Sequence, residues 1–256
     1  MARYDFRSPR LYVDAPLAAG ATIELGRSQA NYLLAVLRLK PGDPVLVFNG
    51  RDGEWRTTLA PASKRTGMLE VREQTRTQSA PGDLHYLFAP LKHARLDYMV
   101  QKAVELGASR LQPVMTRHAQ AARVNLARMR ANAIEAAEQC GILTPAEIAA
   151  PVDLDRMIAG FEARRLLVFC DKDAESDPIA TLAAVQARHG GEPPPLAVLI
   201  GPEGGFADDE RAALLRLPNV VRLALGPRIL RADTAAVAAL ALVQGMLGDW
   251  RGLPQV

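Results

Sequence analysis

The hydrophobic pattern changes character part-way along the chain. Over roughly the first seventy residues, apolar positions come in short runs: LYVDA, TIEL, PVLVFNG, EWRTTLA and MLEVRE. They alternate partially and are split by Gly, Pro and Asp turn signals such as Pro41-Gly42-Asp43 and Asn49-Gly50-Arg51-Asp52-Gly53, a pattern that predicts short β-strands. One helix is predicted among them, in SQANYLLAVLRL. Leu33, Leu34, Val36, Leu37 and Leu39 form its apolar face, and Ser28 stands where it can cap the start. Several short strands with one helix predict a small barrel. Residues 74–83, QTRTQSAPGD, lack apolar period and contain Pro-Gly. They predict a linker between a first domain, 1–73, and a second, 84–252.

From His85 onward strand-like and helix-like segments alternate. HYLFAPL, RLQPVMT, RRLLVFCD, LAVLIGPEGG and VVRLALG read as buried strands. DYMVQKAVELG, ARVNLARMRANAIEAAEQCG, TLAAVQARHG, DDERAALLRL and TAAVAALALVQGMLG read as helices. That alternation predicts an α/β domain around a parallel sheet. No internal repeat interrupts it.

Composition narrows the class without naming a function. The 256 residues are 49% hydrophobic and 23% charged, which fits a globular chain and excludes collagen, coiled coil and disordered-tail readings. Net charge is only +3, but all except five of the 31 basic residues are arginine, the better fork for phosphate and base edges. No apolar run approaches the roughly 18 residues of a membrane span, and the N-terminus carries no signal-like stretch. The expectation is a cytoplasmic protein with no membrane association. Cys140 and Cys170 are far apart, with no CxxC and no His-Cys cluster, so no metal is expected and both are read as buried core residues.

Three segments carry candidate chemistry. Leu199-Ile200-Gly201-Pro202-Glu203-Gly204-Gly205-Phe206 runs from a buried strand into a glycine-rich loop just before a helix. Open α/β sheets bind ligands at such strand ends, although a tight turn alone also uses these residues. It is neither GxGxxG nor a P-loop, which disfavours nucleotide-phosphate readings. The second segment, Leu225-Gly226-Pro227-Arg228-Ile229-Leu230-Arg231-Ala232-Asp233-Thr234, repeats the arrangement, with Asp233 as candidate N-cap. Its two arginines either hold an anion or pair with a carboxylate. The third, Leu91-Lys92-His93-Ala94-Arg95-Leu96-Asp97 continuing into Gln101-Lys102-Ala103-Val104-Glu105-Leu106-Gly107, also has the look of a solvated helix face.

Taken together in order and spacing, LIGPEGGF, LGPRILRADTA and KxxRxDxxxQKAVELG resemble the 16S ribosomal RNA uracil-N3 methyltransferases of the RsmE type, in the SPOUT superfamily. The resemblance spans nearly the whole chain, including Glu138-Gln139-Cys140-Gly141 on the long helix. It implies a PUA-like RNA-binding β-barrel followed by a SPOUT α/β domain with a deep trefoil knot, a rare exception to unknotted connections. It implies S-adenosylmethionine as cofactor, 16S ribosomal RNA or the small ribosomal subunit as partner, and a homodimer.

By motif match, the cofactor residues would be Leu199, Ile200, Gly201, Pro202, Glu203, Gly204 and Gly205 on one loop, and Leu225, Gly226, Ile229, Leu230, Arg231 and Thr234 on the other. Arg231, then Arg228, would stabilise a uracil anion, with Asp233 or Glu203 as weaker candidates for a base. Arg10 and Arg38 would contact RNA from the barrel, where Arg3, Arg7, Arg27 and Arg51 are further cations and Tyr4, Phe6 and Tyr12 candidate stacking residues. Lys92, Arg95, Lys102 and Arg117 would extend that basic track. The sequence departs from the family pattern at Asp233 (usually Glu), Ala207 (usually Ser or Thr, a capping hydroxyl) and Ile142 (often Arg). Competing readings are a knotted methyltransferase with another RNA acceptor, a non-catalytic ribosome-assembly factor, and a metabolite-binding protein.

Overall fold

The computed structural model describes residues 5, 7–61, 67–121, 123–190 and 194–252, which form two compact units. Residues up to 81 together with 137–145 make the first, and 82–136 with 146 onward make the second.

The first unit is built on five strands, β1 (Arg10–Tyr12), β2 (Thr22–Glu24), β3 (Pro44–Phe48), β4 (Glu54–Leu59) and β5 (Met68–Arg76), in the order β1-β3-β4-β5-β2. β1 runs parallel to β3, and the other pairs are antiparallel. Its edge strands do not pair with each other among the described residues, so the expected barrel is an open half-barrel. The core behind it gathers Ile23, Leu33, Val45, Val47, Leu69 and Val71. The segment read as a linker gives Gln74, Thr75 and Arg76 to β5, because these residues continue the ladder opposite β4, with Gln74 across from Trp55 and Arg76 from Glu54.

The predicted helix after Gly26 divides into α1 (Arg27–Asn31) and a π-helical turn (Tyr32–Val36). Gly26, not Ser28, is its N-cap. The wider turn leaves Val36 and Leu37 exposed instead of completing the apolar face, and Arg38 follows with φ +56°, sparsely populated for a residue with a Cβ.

Arg10, expected on an RNA face, is buried inside this unit. Its Nε lies 2.9 Å from Glu54 Oε2, and its Nη2 donates to the Asp5 carbonyl at 2.8 Å. Arg76 and Thr75 complete the set around Glu54. A charge so placed is retained by its partner and is withheld from solvent and ligand. Arg10→Ala is expected to lower the unfolding free energy by about 2–3 kcal/mol, less than the orphaning of a buried charge because Glu54 keeps Arg76. Denaturant unfolding measures this, and the salt dependence of RNA affinity should stay at the wild-type slope. Tyr12 likewise packs, edge-on to Phe48 at 5.8 Å between ring centres. Arg3, Tyr4 and Phe6 lie outside the described residues.

The second unit is a parallel sheet with helices. Its strands are β6 (Leu84–Phe88), β7 (Arg110–Met115), β8 (Glu147–Ile148), β9 (Val152–Asp153), β10 (Leu166–Cys170), β11 (Leu196–Ile200) and β12 (Val220–Leu223). The order is β12-β10-β11-β6-β7-β8, with β9 also on β7. Its helices are α2 (His93–Glu105), α3 (Leu126–Cys140), α4 (Leu154–Ala159), α5 (Pro178–Arg188), α6 (Asp208–Leu215) and α7 (Ala232–Leu247). Every residue of β11 is buried, as a central parallel strand requires. Leu167, Phe169, Ala197 and Leu199 pack with Leu154 and Met157 of α4 and Leu214 of α6. β8, β9 and α4 were not foreseen, since each is too short to show a period. The last turn of α3 and the residues after it belong to the first unit, where Ala137 and Leu143 pack with Phe48. Among the described residues, no helix is long and apolar enough to cross a membrane.

Candidate active site

Three adjacent parallel strands end together around one cavity. β10 delivers Cys170, β11 Ile200 and β12 Leu223 to its floor, and the loops after them form its walls. Its volume is about 390 Å³, in the range of small-molecule sites. Residues of two loops, 201–206 and 224–230, line it.

Part of the lining is apolar. Ile200, Pro202, Phe206, Leu225, Ile229 and Leu230 line it, and Phe206 meets Phe169 edge-on at 5.2 Å. Another part is charged: Asp171, Lys172 and Asp173 follow β10, and Asp208 and Arg211 lie on α6. Asp171 organises this part. Arg211 Nη2 donates to its Oδ2 at 2.9 Å and Arg222 Nε donates to the same oxygen at 2.8 Å. Burial alone would raise the Asp171 pKa. The bonds from Arg211, from the Asp173 amide and from Arg222 outweigh it and hold the carboxyl below its ordinary range. Desolvation pushes the neighbouring Cys170 thiol up to about 12, so it stays protonated and unreactive at neutral pH.

The backbone of both loops is shaped for close approach. Gly205 has φ +75° and Gly226 φ +91°, conformations that a side chain strains, and a Cβ on Gly226 would meet open space. A cavity lined by apolar side chains, charged side chains and glycine backbone fits a ligand with a flat nucleoside portion and a zwitterionic end. S-adenosylmethionine has that composition. Among the described residues, no group of three or more His, Cys, Asp or Glu is placed to hold a metal ion.

A family model described as an RNA methyltransferase domain matches residues 78–244, and one described as an RNA methyltransferase PUA domain matches residues 25–69. The ribosomal RNA small subunit methyltransferase E of Rickettsia conorii is 30% identical over 242 residues, 94% of this chain and 96% of the relative. The chain belongs to the ribosomal RNA small subunit methyltransferase E family. Similar solved structures agree with that membership. A ribosomal RNA small subunit methyltransferase E from Neisseria gonorrhoeae, bound to S-adenosylmethionine, is 25% identical with TM-score 0.80, covering 95% of this chain and 100% of the other. A putative methyltransferase from Legionella pneumophila, in complex with the bound cofactor SAM, is 26% identical with TM-score 0.81, covering 95% and 99%.

Within this member of the methyltransferase E family, the residues expected from sequence sort into three sets. Ile200, Gly201, Pro202, Glu203, Gly205, Leu225, Gly226, Ile229 and Leu230 come together around the cavity, with Arg228 beside them. Leu199 is fully buried in β11, below the loops. Gly204 turns to a protein neighbour, since a Cβ there would come within 3.3 Å of His118 Cβ, while Gly201 lines the cavity beside Phe206, whose Cε2 a Cβ would meet at 2.4 Å. Arg231 is the N-cap residue of α7 and is exposed, as is Thr234 one turn on. Neither lines the cavity, although Leu230 and Ala232 beside Arg231 do. Arg228 and Arg231 make no ion pair among the described residues, so the carboxylate-pairing alternative is not what occupies them. Asp233, expected as N-cap, lies in the first turn of α7 instead and accepts from the Thr234 amide at 2.9 Å. Ala207 caps α6 by backbone position, and Glu210 still reaches back to its N–H at 2.9 Å, half of the usual reciprocal pair.

The basic track changes most. Arg95 is bound to Glu203, Lys102 to Glu105 at 2.7 Å, and Arg117 to Asp209 at 2.6 Å. All three are expected RNA contacts whose charges are engaged by carboxylates. Lys92, at the N-cap of α2, and Arg38 are exposed. Cys140, read as buried, is exposed near the end of α3.

Asp171, Lys172, Arg211 and Arg222 escaped sequence reasoning. A signal for them existed: Asp171-Lys172-Asp173 follows the buried run LLVFC at the same strand-end position as the two glycine loops, and Arg222 interrupts an otherwise apolar strand.

Proposed function

We propose that this chain is a cytoplasmic S-adenosylmethionine-dependent enzyme that methylates N3 of a specific uridine in 16S ribosomal RNA. The single observation that carries the reading is the cavity at the ends of β10, β11 and β12, lined by both apolar and charged side chains, in a chain aligned nearly end to end with methyltransferase E relatives. Bound S-adenosylmethionine would supply a methyl group on a sulfonium cation. The backbone of 201–205 and 225–230 would hold it, with Ile200, Leu225 and Leu230 excluding water from its apolar part and the charged residues around Asp171 meeting its charged end.

Alkylation at N3 requires that uracil first lose its imide proton, and the resulting charge spreads onto O2 and O4. An unpaired guanidinium beside those oxygens stabilises the anion and lowers its pKa; Arg231 is assigned that role and Arg228 the supporting one. Transfer would exchange the sulfur–methyl bond for an N3–methyl bond and leave a neutral thioether, so both charges would be lost, and the apolar part of the lining would favour that over separated ions. Glu203 is not the base in this reading, because Arg95 and Gln120 already hold both of its carboxylate oxygens. Proximity of N3 to the donor carries much of the rate.

The uracil must be splayed out of folded RNA to enter. Arg38 of the first unit and Lys92 of the second are each proposed as a phosphate contact, and Arg38 sits on the strained segment where functional residues concentrate. The chain is proposed to work as a homodimer. The fully exposed Ile229 at the cavity edge, and the exposed Tyr98 and Trp250, support a covering copy. The knotted path is supported by strand order: β12 steps back past β11 to pair with β10, and α7 then returns to pack on β11 and α2.

Mapping modified bases in 16S ribosomal RNA from cells lacking the protein tests the reading. One 3-methyluridine should vanish and return with the wild-type gene. A full complement of that base in the deletion strain would overturn it, and loss of a different methylated nucleotide would reassign the acceptor.

A further inference from the structure

The glycine-rich loop after β11 is gripped from another strand. Past β7 the chain makes a short turn over 116–120. His118 Nδ1 lies 3.1 Å from the Gly205 carbonyl oxygen, and since a carbonyl only accepts, the imidazole donates there. Gln120 donates its amide to one oxygen of Glu203, and Arg95 from α2 donates to the other. Further along, the Arg117 amide reaches Glu210 Oε1 at 2.7 Å while its guanidinium forks onto Asp209 at 2.9 and 2.6 Å. The contacts run from the loop into the first turn of α6.

The loop is thereby held between two faces. On one side His118 presses on Gly204, where a Cβ would stand 3.3 Å from its own Cβ. On the other, a Cβ on Gly205 would lie 3.6 Å from Lys172 Nζ in the cavity wall. Two consecutive glycines have the widest backbone freedom of any dipeptide, so their orientation needs an outside constraint. The residues that supply it are exposed, and exposed polar pairs add little to folding stability. What they do add is order in a loop that would otherwise have to be ordered when a ligand binds.

We propose that His118, assisted by Gln120 and Arg95, is a positioning residue: it fixes the 203–205 backbone for the cofactor, and acts on cofactor affinity rather than on RNA binding or global stability. The inference rests on the reading of the cavity as the S-adenosylmethionine site. It also accounts for Arg95 and Arg117, whose carboxylate partners would have to be released before either could meet a phosphate.

The test is calorimetry with S-adenosylmethionine on the full chain, together with steady-state kinetics on 16S ribosomal RNA, for wild type, His118→Ala, His118→Asn and Gln120→Ala. His118→Ala should weaken cofactor binding roughly fivefold, the effect of one net hydrogen bond, and raise the cofactor KM in parallel. KM for RNA and the melting temperature should stay at wild-type values. His118→Asn, which keeps a donor, should recover most of the affinity, and Gln120→Ala should show a smaller loss in the same direction. Wild-type affinity in His118→Ala would overturn the proposal, and so would a loss confined to the RNA KM. A wild-type chain that fails to bind S-adenosylmethionine would bring down the cavity reading and this inference together, whereas tight wild-type binding matched by His118→Ala removes this inference alone. Should His118→Ala not fold, His118→Asn and Gln120→Ala decide it: wild-type affinity in Gln120→Ala then counts against the clasp.

Discussion

Arg231→Ala is expected to lower kcat for methyl transfer by about 10²–10³, the scale found when one donor to a developing oxyanion is removed. The S-adenosylmethionine dissociation constant should change by less than about twofold, because the side chain does not line the cavity and its backbone remains as the start of α7. Melting should also hold, since the residue is exposed and caps the helix without a side-chain bond. Single-turnover kinetics with the substrate RNA separates these quantities. Arg231→Lys should recover little if the proposed role holds, because a point charge does not reproduce the planar donor fork of a guanidinium. Arg228→Ala should show a smaller defect of the same kind. Wild-type turnover in Arg231→Ala would remove the catalytic assignment.

Asp171→Ala should produce a stability loss well beyond that of removing an exposed charge at the cavity. Two guanidinium groups, from Arg211 and Arg222, converge on a carboxylate whose side chain is 3% exposed, and its removal leaves them facing each other. Breaking a fully buried pair costs roughly 3–5 kcal/mol; here Arg211 and Arg222 keep 30% and 37% exposure, so about 2–3 kcal/mol is expected. The pH dependence has a definite sign. The folded-state pKa of Asp171 lies below its unfolded value, so the unfolded chain binds the proton more readily. The stabilisation is complete above the ordinary carboxylate pKa and fades as pH falls through the depressed folded value. Urea melts of wild type and variant should therefore diverge at neutral pH and converge in acid. A constant gap down to the most acidic measurable point would show that packing, not charge, makes the difference.

The sequence made the strands and helices legible wherever period and length were strong. LAVLI and LLVFC are buried on both faces, and TAAVAALALVQGML is a long helix, so each element announced itself. The glycine loops were legible for the same reason: they follow those strands directly. What was hidden is tertiary. Nothing local says that Arg10 finds Glu54 across 44 residues, or that Arg95 finds Glu203 across 108. Both arginines therefore looked available for RNA. The π-helical turn at Tyr32–Val36 is hidden too, because its sequence satisfies an ordinary helical stripe and only the i−5 bond from the Leu37 amide to the Tyr32 carbonyl distinguishes it. The departure at Ile142 found a plain explanation in packing, beside Phe48 and Leu143.

The discontinuity of the first unit bears on how the protein can be divided. Severing the chain after residue 81 would yield an N-terminal piece without 137–145, hence without Glu138 to take the Tyr12 amide at 2.8 Å or the Gly141 carbonyl that Arg76 reaches at 2.7 Å. Phe48 would lose its cover of Ala137 and Leu143 and face water. Its remaining strands form one sheet whose edge strands have no further partner strand among the described residues, a template for self-pairing. Anyone wishing to study the RNA-binding half in isolation would do better to graft the excursion 137–145 back on through a short tether than to trim at the apparent joint.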